Sequence, residues 1–166
     1  MIANLSRKPE QLIPQNLFIK QRGAVFTGFF SRGLDDVTIL PWGTEVYAYQ
    51  TSADMPVMEH IEAIRRMTDG GTYMEAPVEY MIKHRIMTDY ALFITDSMEY
   101  GKGWLAAWKQ YKQLNPRARA FLLRLDSYNT RPMPEEQAGK YGIHQIFGWN
   151  DSVIDYMKFV IEKETI

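Results

Sequence analysis

The stretch YALFITDS at residues 90–97 decides the fold class. Its first five residues are apolar on both alternations, which is the pattern of a strand buried on both faces of a parallel sheet. Asp96 and Ser97 follow this strand, and ligands of such sheets bind beyond the carboxyl ends of the strands. The stretch therefore predicts an α/β protein with a candidate binding site where this strand ends.

Helical and strand-like segments alternate around this strand. Apolar spacing predicts helices over residues 12–32, 55–67, 72–84, 104–114 and about 150–161, and β-rich runs predict strands over 118–125 and 143–147. Two more β-rich runs, 37–40 and 45–49, predict a hairpin. We therefore expect one domain over residues 1–166, a three-layer sandwich with a mostly parallel central sheet and one antiparallel edge hairpin.

The composition excludes several classes of protein. The chain has 166 residues, and its 19 Lys and Arg against 20 Asp and Glu give a net charge of −1, so any electrostatic partner site must be local. Cysteine is absent, which excludes disulfide scaffolds and thiolate zinc sites. No apolar stretch approaches the roughly 20 residues of a membrane span, and the N-terminus is too polar for a signal peptide. We expect a soluble cytoplasmic protein that does not enter a membrane.

Oxygen-bearing side chains at loop positions are the first candidate ligands. Asp96 offers a carboxylate, and Thr72 offers a hydroxyl after two glycines that let the backbone approach a ligand. Thr72 and Glu75 also have the spacing of a capping box, which needs no ligand. Asp126 favours a turn, and Asn150 with Asp151 favours a helix cap.

These residues resemble a known family. The loop at residues 70–72, followed by FITDS at 93–97, is similar to the von Willebrand factor A-type domain, and more narrowly to the C-terminal domain of the Ro autoantigen, or TROVE, family of RNA-binding proteins. The resemblance continues through residues 108–111, 118–125 and 141–144. In that family three loops hold a divalent cation, usually Mg²⁺. The resemblance implies the ligand set Asn4, Ser6, Thr72 and Asp96.

The first of these loops departs from the family pattern. Asn4 stands where the family has Asp, and Lys8 stands where it has a second Ser, so a negative charge is lost and a positive one is added. Cation affinity should fall sharply, and Lys8 is an alternative to the ion as a counter-charge for Asp96. Three residues precede Asn4, so we expect a shortened first strand, either in a shortened relative or completed by a strand from a partner polypeptide.

A basic segment is the second candidate surface. Between residues 101 and 131 there are seven basic residues and one acid, and the candidate RNA-binding residues are Lys102, Lys109, Lys112, Arg117, Arg119 and Arg124. Trp104, Trp108 and Tyr111 are interleaved with them, as in single-stranded RNA binding. The alternative is that these aromatic rings face the core. Arg124 also lies where it could pair with Asp96.

The sequence leads to two hypotheses of function. The first is a non-catalytic binding module of a TROVE-like ribonucleoprotein system, which recognises a protein partner or ligand at a degenerate metal-ion-dependent adhesion site, with RNA bound directly or through the partner. The alternative is an assembly subunit that works without a metal, pairing with a ring-forming RNA-binding protein or with itself. An enzymatic role for Asp96 and Asp126 lacks a visible base–nucleophile pair.

Overall fold

A computed structural model gives the structure of the chain and describes residues 38–50, 54–67, 73–95, 103–125, 133–150 and 152–164. Within these ranges the elements are, in chain order, α1 (Val57–Met67), α2 (Glu75–His84), β1 (Tyr90–Thr95), α3 (Trp104–Leu114), β2 (Arg119–Arg124), α4 (Glu135–Lys140), β3 (Ile143–Phe147) and α5 (Ser152–Glu164). The predicted helix over residues 12–32 lies outside the described residues. None of the helices in these ranges is long and apolar enough to cross a membrane.

The three strands form one parallel sheet in the order β1-β2-β3. β2 is the middle strand, and every residue after its first is buried. Parallel strands need crossover connections, and α3 and α4 lie between the strands in the chain. The α/β class and the parallel sheet are confirmed.

The parallel register gives the sheet two chemically different ends. We call the side where the strands finish, at Thr95, Arg124 and Phe147, the carboxyl end of the sheet. The side where they start, at Tyr90, Arg119 and Ile143, is the amino end. Side chains at one end cannot bind the same small ligand as side chains at the other end, because a six-residue strand is about 20 Å long.

Helices cover both faces of the sheet. Ala120 and Leu122 of β2 pack in a cluster with residues of α2 and α3, whereas Phe121 and Leu123 pack in a second cluster with residues of α5. This alternation is the period-two pattern of a strand buried on both sides. We refer below to the α2–α3 face and the α5 face.

The aromatic residues of α3 belong to the core. Trp104 is 4% exposed, and Trp108 and Tyr111 are fully buried. The indole N–H of Trp108 donates to the carbonyl oxygen of Tyr141 at 3.0 Å, so the polar atom is satisfied. The interpretation of these rings as core residues is confirmed, and they do not form a stacking surface for RNA bases.

The prediction of a hairpin is wrong for residues 38–49, the part of it that the structure describes. Runs 38–40 and 45–49 do not pair as strands; one isolated antiparallel bridge joins Trp42 and Val46, and the N–H of Tyr47 donates to Pro41 O at 2.8 Å. Pro41 cannot donate to a ladder. Leu40 and Trp42 pack instead against the α2–α3 core cluster, so tertiary packing overrides the β propensity of this segment.

Three helices, beginning at Val57, Glu75 and Ser152, start two to three residues later than predicted. α2 begins at Glu75 with Met74 at its N-cap position and no side-chain cap, and Thr72, the other member of the predicted capping box, lies outside the described residues. At α5, the Oδ1 atom of Asn150 accepts a hydrogen bond from the Ser152 N–H at 2.9 Å, which confirms Asn150 as a cap. Asp151 lies outside the described residues.

Candidate functional site

The carboxyl end of the sheet is built from buried polar residues. Thr95 ends β1 and is 5% exposed, and its register partner Arg124 ends β2 and is 3% exposed. The Leu125 N–H donates to the Thr95 carbonyl at 3.0 Å, so the two strands stay paired up to this end. Asp96, the next residue in the chain after Thr95, lies outside the described residues.

The resemblance implies four residues as metal ligands. Asn4, Ser6, Thr72 and Asp96 lie outside the described residues, and so do Lys8 and Asp126. Among the residues that the structure does describe, no group of three or more His, Asp or Glu side chains could hold a metal ion. The metal site therefore stays a prediction.

Arg124 carries a positive charge into the interior at this end. By alternation with Leu122 its side chain lies on the α2–α3 face, and its guanidinium carbon is 5.5 Å from the ring centre of Phe147. A buried guanidinium is stable only with compensating negative charge or hydrogen bonds nearby. Its burial distinguishes Arg124 from the described lysines and arginines of the predicted RNA-binding segment, which are half-buried or exposed.

Glu75 is a carboxylate at the same end that the sequence analysis assigned to helix capping alone. It is the first residue of α2, and a Cβ atom built on Gly103, next to the start of α3, would lie 3.2 Å from Glu75 Oε1. Its Oε2 atom is buried and makes no hydrogen bond among the described residues. The positive ends of two helix dipoles favour a carboxylate here, and a cation would satisfy the buried oxygen.

The amino end of the sheet gathers most of the predicted RNA-binding residues. Lys112, near the end of α3, donates to the carbonyl oxygens of Pro116 and, at 2.8 Å, Ala118. Arg119, the first residue of β2, donates from Nη1 to the carbonyl oxygens of Arg117 and Ala118 at 3.1 and 3.3 Å. These contacts hold both cations in fixed positions. Lys102 lies outside the described residues.

A further lysine at this end, Lys140, was missed by the sequence analysis. Lys140 ends α4, a helix of six residues that is too short to show apolar periodicity. The signal that could have found it is Pro134 followed by Glu135 and Glu136, a proline and two acids at a helix start. The ammonium groups of Lys109 and Lys140 lie 4.6 and 5.8 Å from the ring centre of Tyr141.

No protein-family model matches the sequence, and no curated protein matches it. The function is therefore inferred from the residues at the two ends of the sheet.

Proposed function

We propose that the chain is a non-catalytic binding module of a TROVE-like ribonucleoprotein system and has a von Willebrand factor A-like fold. It recognises a protein partner at the carboxyl end of its sheet, through a degenerate metal-ion-dependent adhesion site of Asn4, Ser6, Thr72 and Asp96. Mg²⁺ is the proposed ion. The buried Oε2 atom of Glu75 is the observation that carries the proposal, because a buried carboxylate oxygen is costly without a partner.

Glu75 also offsets the main departure from the family pattern. Replacement of an Asp by Asn4 removes one negative charge from the ligand set, and Glu75 brings one carboxylate to the same end of the sheet. Hydroxyl and carboxylate oxygens are the ligands that Mg²⁺ prefers. The positive charge of Arg124, in the next strand, opposes the ion, so the proposed site binds Mg²⁺ weakly.

Calorimetric titration of the whole chain with Mg²⁺ and with Mn²⁺ tests the proposal. We expect weak, saturable binding that Asp96→Asn abolishes and Glu75→Gln weakens. The matched control is Glu79→Gln, an exposed acid of the same helix, which should leave binding unchanged. Absence of saturable binding, or equal losses in Glu75→Gln and Glu79→Gln, would overturn the metal site.

Assembly is a second candidate, favoured by β1. In the described part of the chain β1 pairs on one side only, with β2, and its residues Tyr90, Leu92 and Ile94 are half-buried against the α5 face. A strand with an open side is a template for strand addition. Light scattering after size exclusion tests self-association: this candidate expects a dimer whose fraction grows with concentration, and a monomer at every concentration would contradict it.

A further inference from the structure

A cavity of about 290 Å³ opens at the amino end of the sheet, opposite the proposed adhesion site. Its lining residues are Lys112, Arg119, Glu135, Gly139, Lys140, Gly142, Ile143 and His144. They come from the end of α3, the start of β2, α4 and the start of β3. Four elements that follow one another in the chain therefore converge on one opening.

The cavity lining is predominantly positive. Lys112, Arg119 and Lys140 contribute three cations against the single carboxylate of Glu135. That carboxylate already accepts a hydrogen bond from Nε2 of Gln145 at 3.3 Å. In a whole chain with a net charge of −1, such a concentration of positive charge selects an anion.

Two of the cations are held in place before any ligand binds. Backbone carbonyl oxygens accept hydrogen bonds from Lys112 and Arg119. Gly142 has a φ of +63°, and the aliphatic stem of Arg119 lies against it so closely that a Cβ atom there would be 2.7 Å from Arg119 Cδ. Because these side chains are already ordered, an entering anion causes little further loss of side-chain entropy.

The size and the surroundings of the cavity narrow the choice of anion. Its volume is at the lower limit of ligand pockets, roughly 300–1,000 Å³, so it suits a phosphate group with part of a sugar. At its rim, Nδ1 of His144 is 3.0 Å from the hydroxyl of Tyr156, and Tyr156 is 42% exposed on α5. An exposed aromatic ring beside a cationic pocket is the arrangement that binds a base and its phosphate together.

We propose that this cavity binds the phosphate group of a nucleotide, with Lys112, Arg119 and Lys140 as the charged contacts and Tyr156 as the surface on which the base stacks. The nucleotide is either free or part of a single-stranded RNA. The proposal replaces the linear basic segment of the sequence analysis with a pocket that includes Lys140 and excludes the buried Arg124.

Fluorescence anisotropy with a labelled ten-nucleotide single-stranded oligouridylate at low salt tests the RNA source, and competition by uridine monophosphate and by inorganic phosphate tests the free source. We expect Lys140→Ala to weaken binding about fivefold and to reduce its salt dependence. Lys83→Ala is the matched control, because Lys83 is an exposed lysine on α2, which contributes nothing to the lining. Tyr156→Ala should weaken binding of both nucleotide probes and leave inorganic phosphate unaffected.

The relative affinities of RNA and the monophosphate distinguish the two sources of the nucleotide. RNA that binds more tightly than the monophosphate supports a strand, and a monophosphate that binds as tightly as RNA supports a free nucleotide. If neither probe binds, or if Lys140→Ala and Lys83→Ala lose the same affinity, the proposal is overturned. Glu75 lies at the other end of the sheet, beside the start of α3, so Glu75→Gln should bind RNA as the unmodified chain does.

Discussion

The side chain of Arg119 lies directly against the backbone of Gly142, where a Cβ atom would stand 2.7 Å from Arg119 Cδ. Arg119 begins β2, and Gly142 immediately precedes β3. The Ala120 N–H donates to the Gly142 carbonyl at 2.9 Å, so the strands are paired from this point. One contact therefore sets the start of two strands and the position of a guanidinium in the cavity.

Gly142→Ala should destabilise the fold by about 2–4 kcal/mol, because a left-handed φ strains any residue with a Cβ and because Arg119 must move. Gly148→Ala is the control: its φ is +71°, and nothing lies within 4 Å of the added Cβ. That variant should lose only the strain energy. Urea unfolding measures both, and equal losses would show that the contact with Arg119 carries no energy.

Tyr111→Phe should cost about 1–3 kcal/mol in free energy of unfolding. The buried Tyr111 hydroxyl donates to Ile86 O at 3.0 Å and accepts from the Thr88 N–H at 2.9 Å, so its removal leaves two backbone groups without this partner. Tyr73→Phe, a change at a tyrosine that is 39% exposed, is the control and should cost less than about 0.5 kcal/mol. A loss for Tyr111→Phe no larger than that of its control would contradict the assigned hydrogen bonds.

Stability should fall at alkaline pH through Tyr49. Burial raises the pKa of Tyr49 above its ordinary value of 10.0, and its hydroxyl makes a hydrogen bond with Nδ1 of the buried His60. The folded chain holds this proton more tightly than the unfolded chain, so the stabilisation is complete below pH 10 and is lost as the pH rises through the folded pKa. Urea unfolding below and above pH 10 should show a smaller decline in Tyr49→Phe than in the unmodified chain or in Tyr80→Phe. The same decline in all three would contradict this assignment.

The strands could be predicted from sequence because their signal is local. Residues 90–95 are apolar on both alternations, and the predicted bounds of α3 and β3 agree with the structure. The conformation of residues 37–49 could not be predicted from the local sequence. Leu40 and Trp42 pack against a core cluster formed by residues distant in the chain, instead of alternating between the two faces of a strand. Helix α4 was not predicted because its six residues span fewer than two turns, which is too short to show an apolar repeat.

The candidate functional residues at the two ends of the sheet could also be predicted only in part from the sequence. Motif spacing indicated Thr72 and Asp96, but the approach of Glu75 to the start of α3 depends on how two helices pack. Likewise, the basic segment was visible in the sequence, whereas the cavity needs Lys140 from α4 beside Arg119 from β2. Burial of Arg124 at the carboxyl end also follows from the tertiary arrangement alone.

Arg124→Gln should raise the Mn²⁺ affinity of the carboxyl end about fivefold. At a separation of roughly 8 Å, a unit positive charge in general opposes the binding of a divalent cation by about 1 kcal/mol even at the dielectric constant of water. Arg124→Lys keeps the charge and is the control. Circular dichroism first establishes that both variants are folded, and calorimetry then compares their Mn²⁺ affinities. A weaker affinity in Arg124→Gln than in Arg124→Lys would contradict a cation at this end.

The most direct measurement is calorimetric titration with Mn²⁺ of the double variant Asn4→Asp/Lys8→Ser, which restores the charges of the family's first loop. We expect at least about tenfold tighter binding than in the unmodified chain, equal to about 1.4 kcal/mol, and the loss of this gain when Asp96→Asn is added. Lys83→Asp changes the net charge by the same amount on α2 and should gain nothing. A double variant that binds Mn²⁺ no more tightly than Lys83→Asp, or that still binds without Asp96, would contradict a shared cation site at the carboxyl end of the sheet.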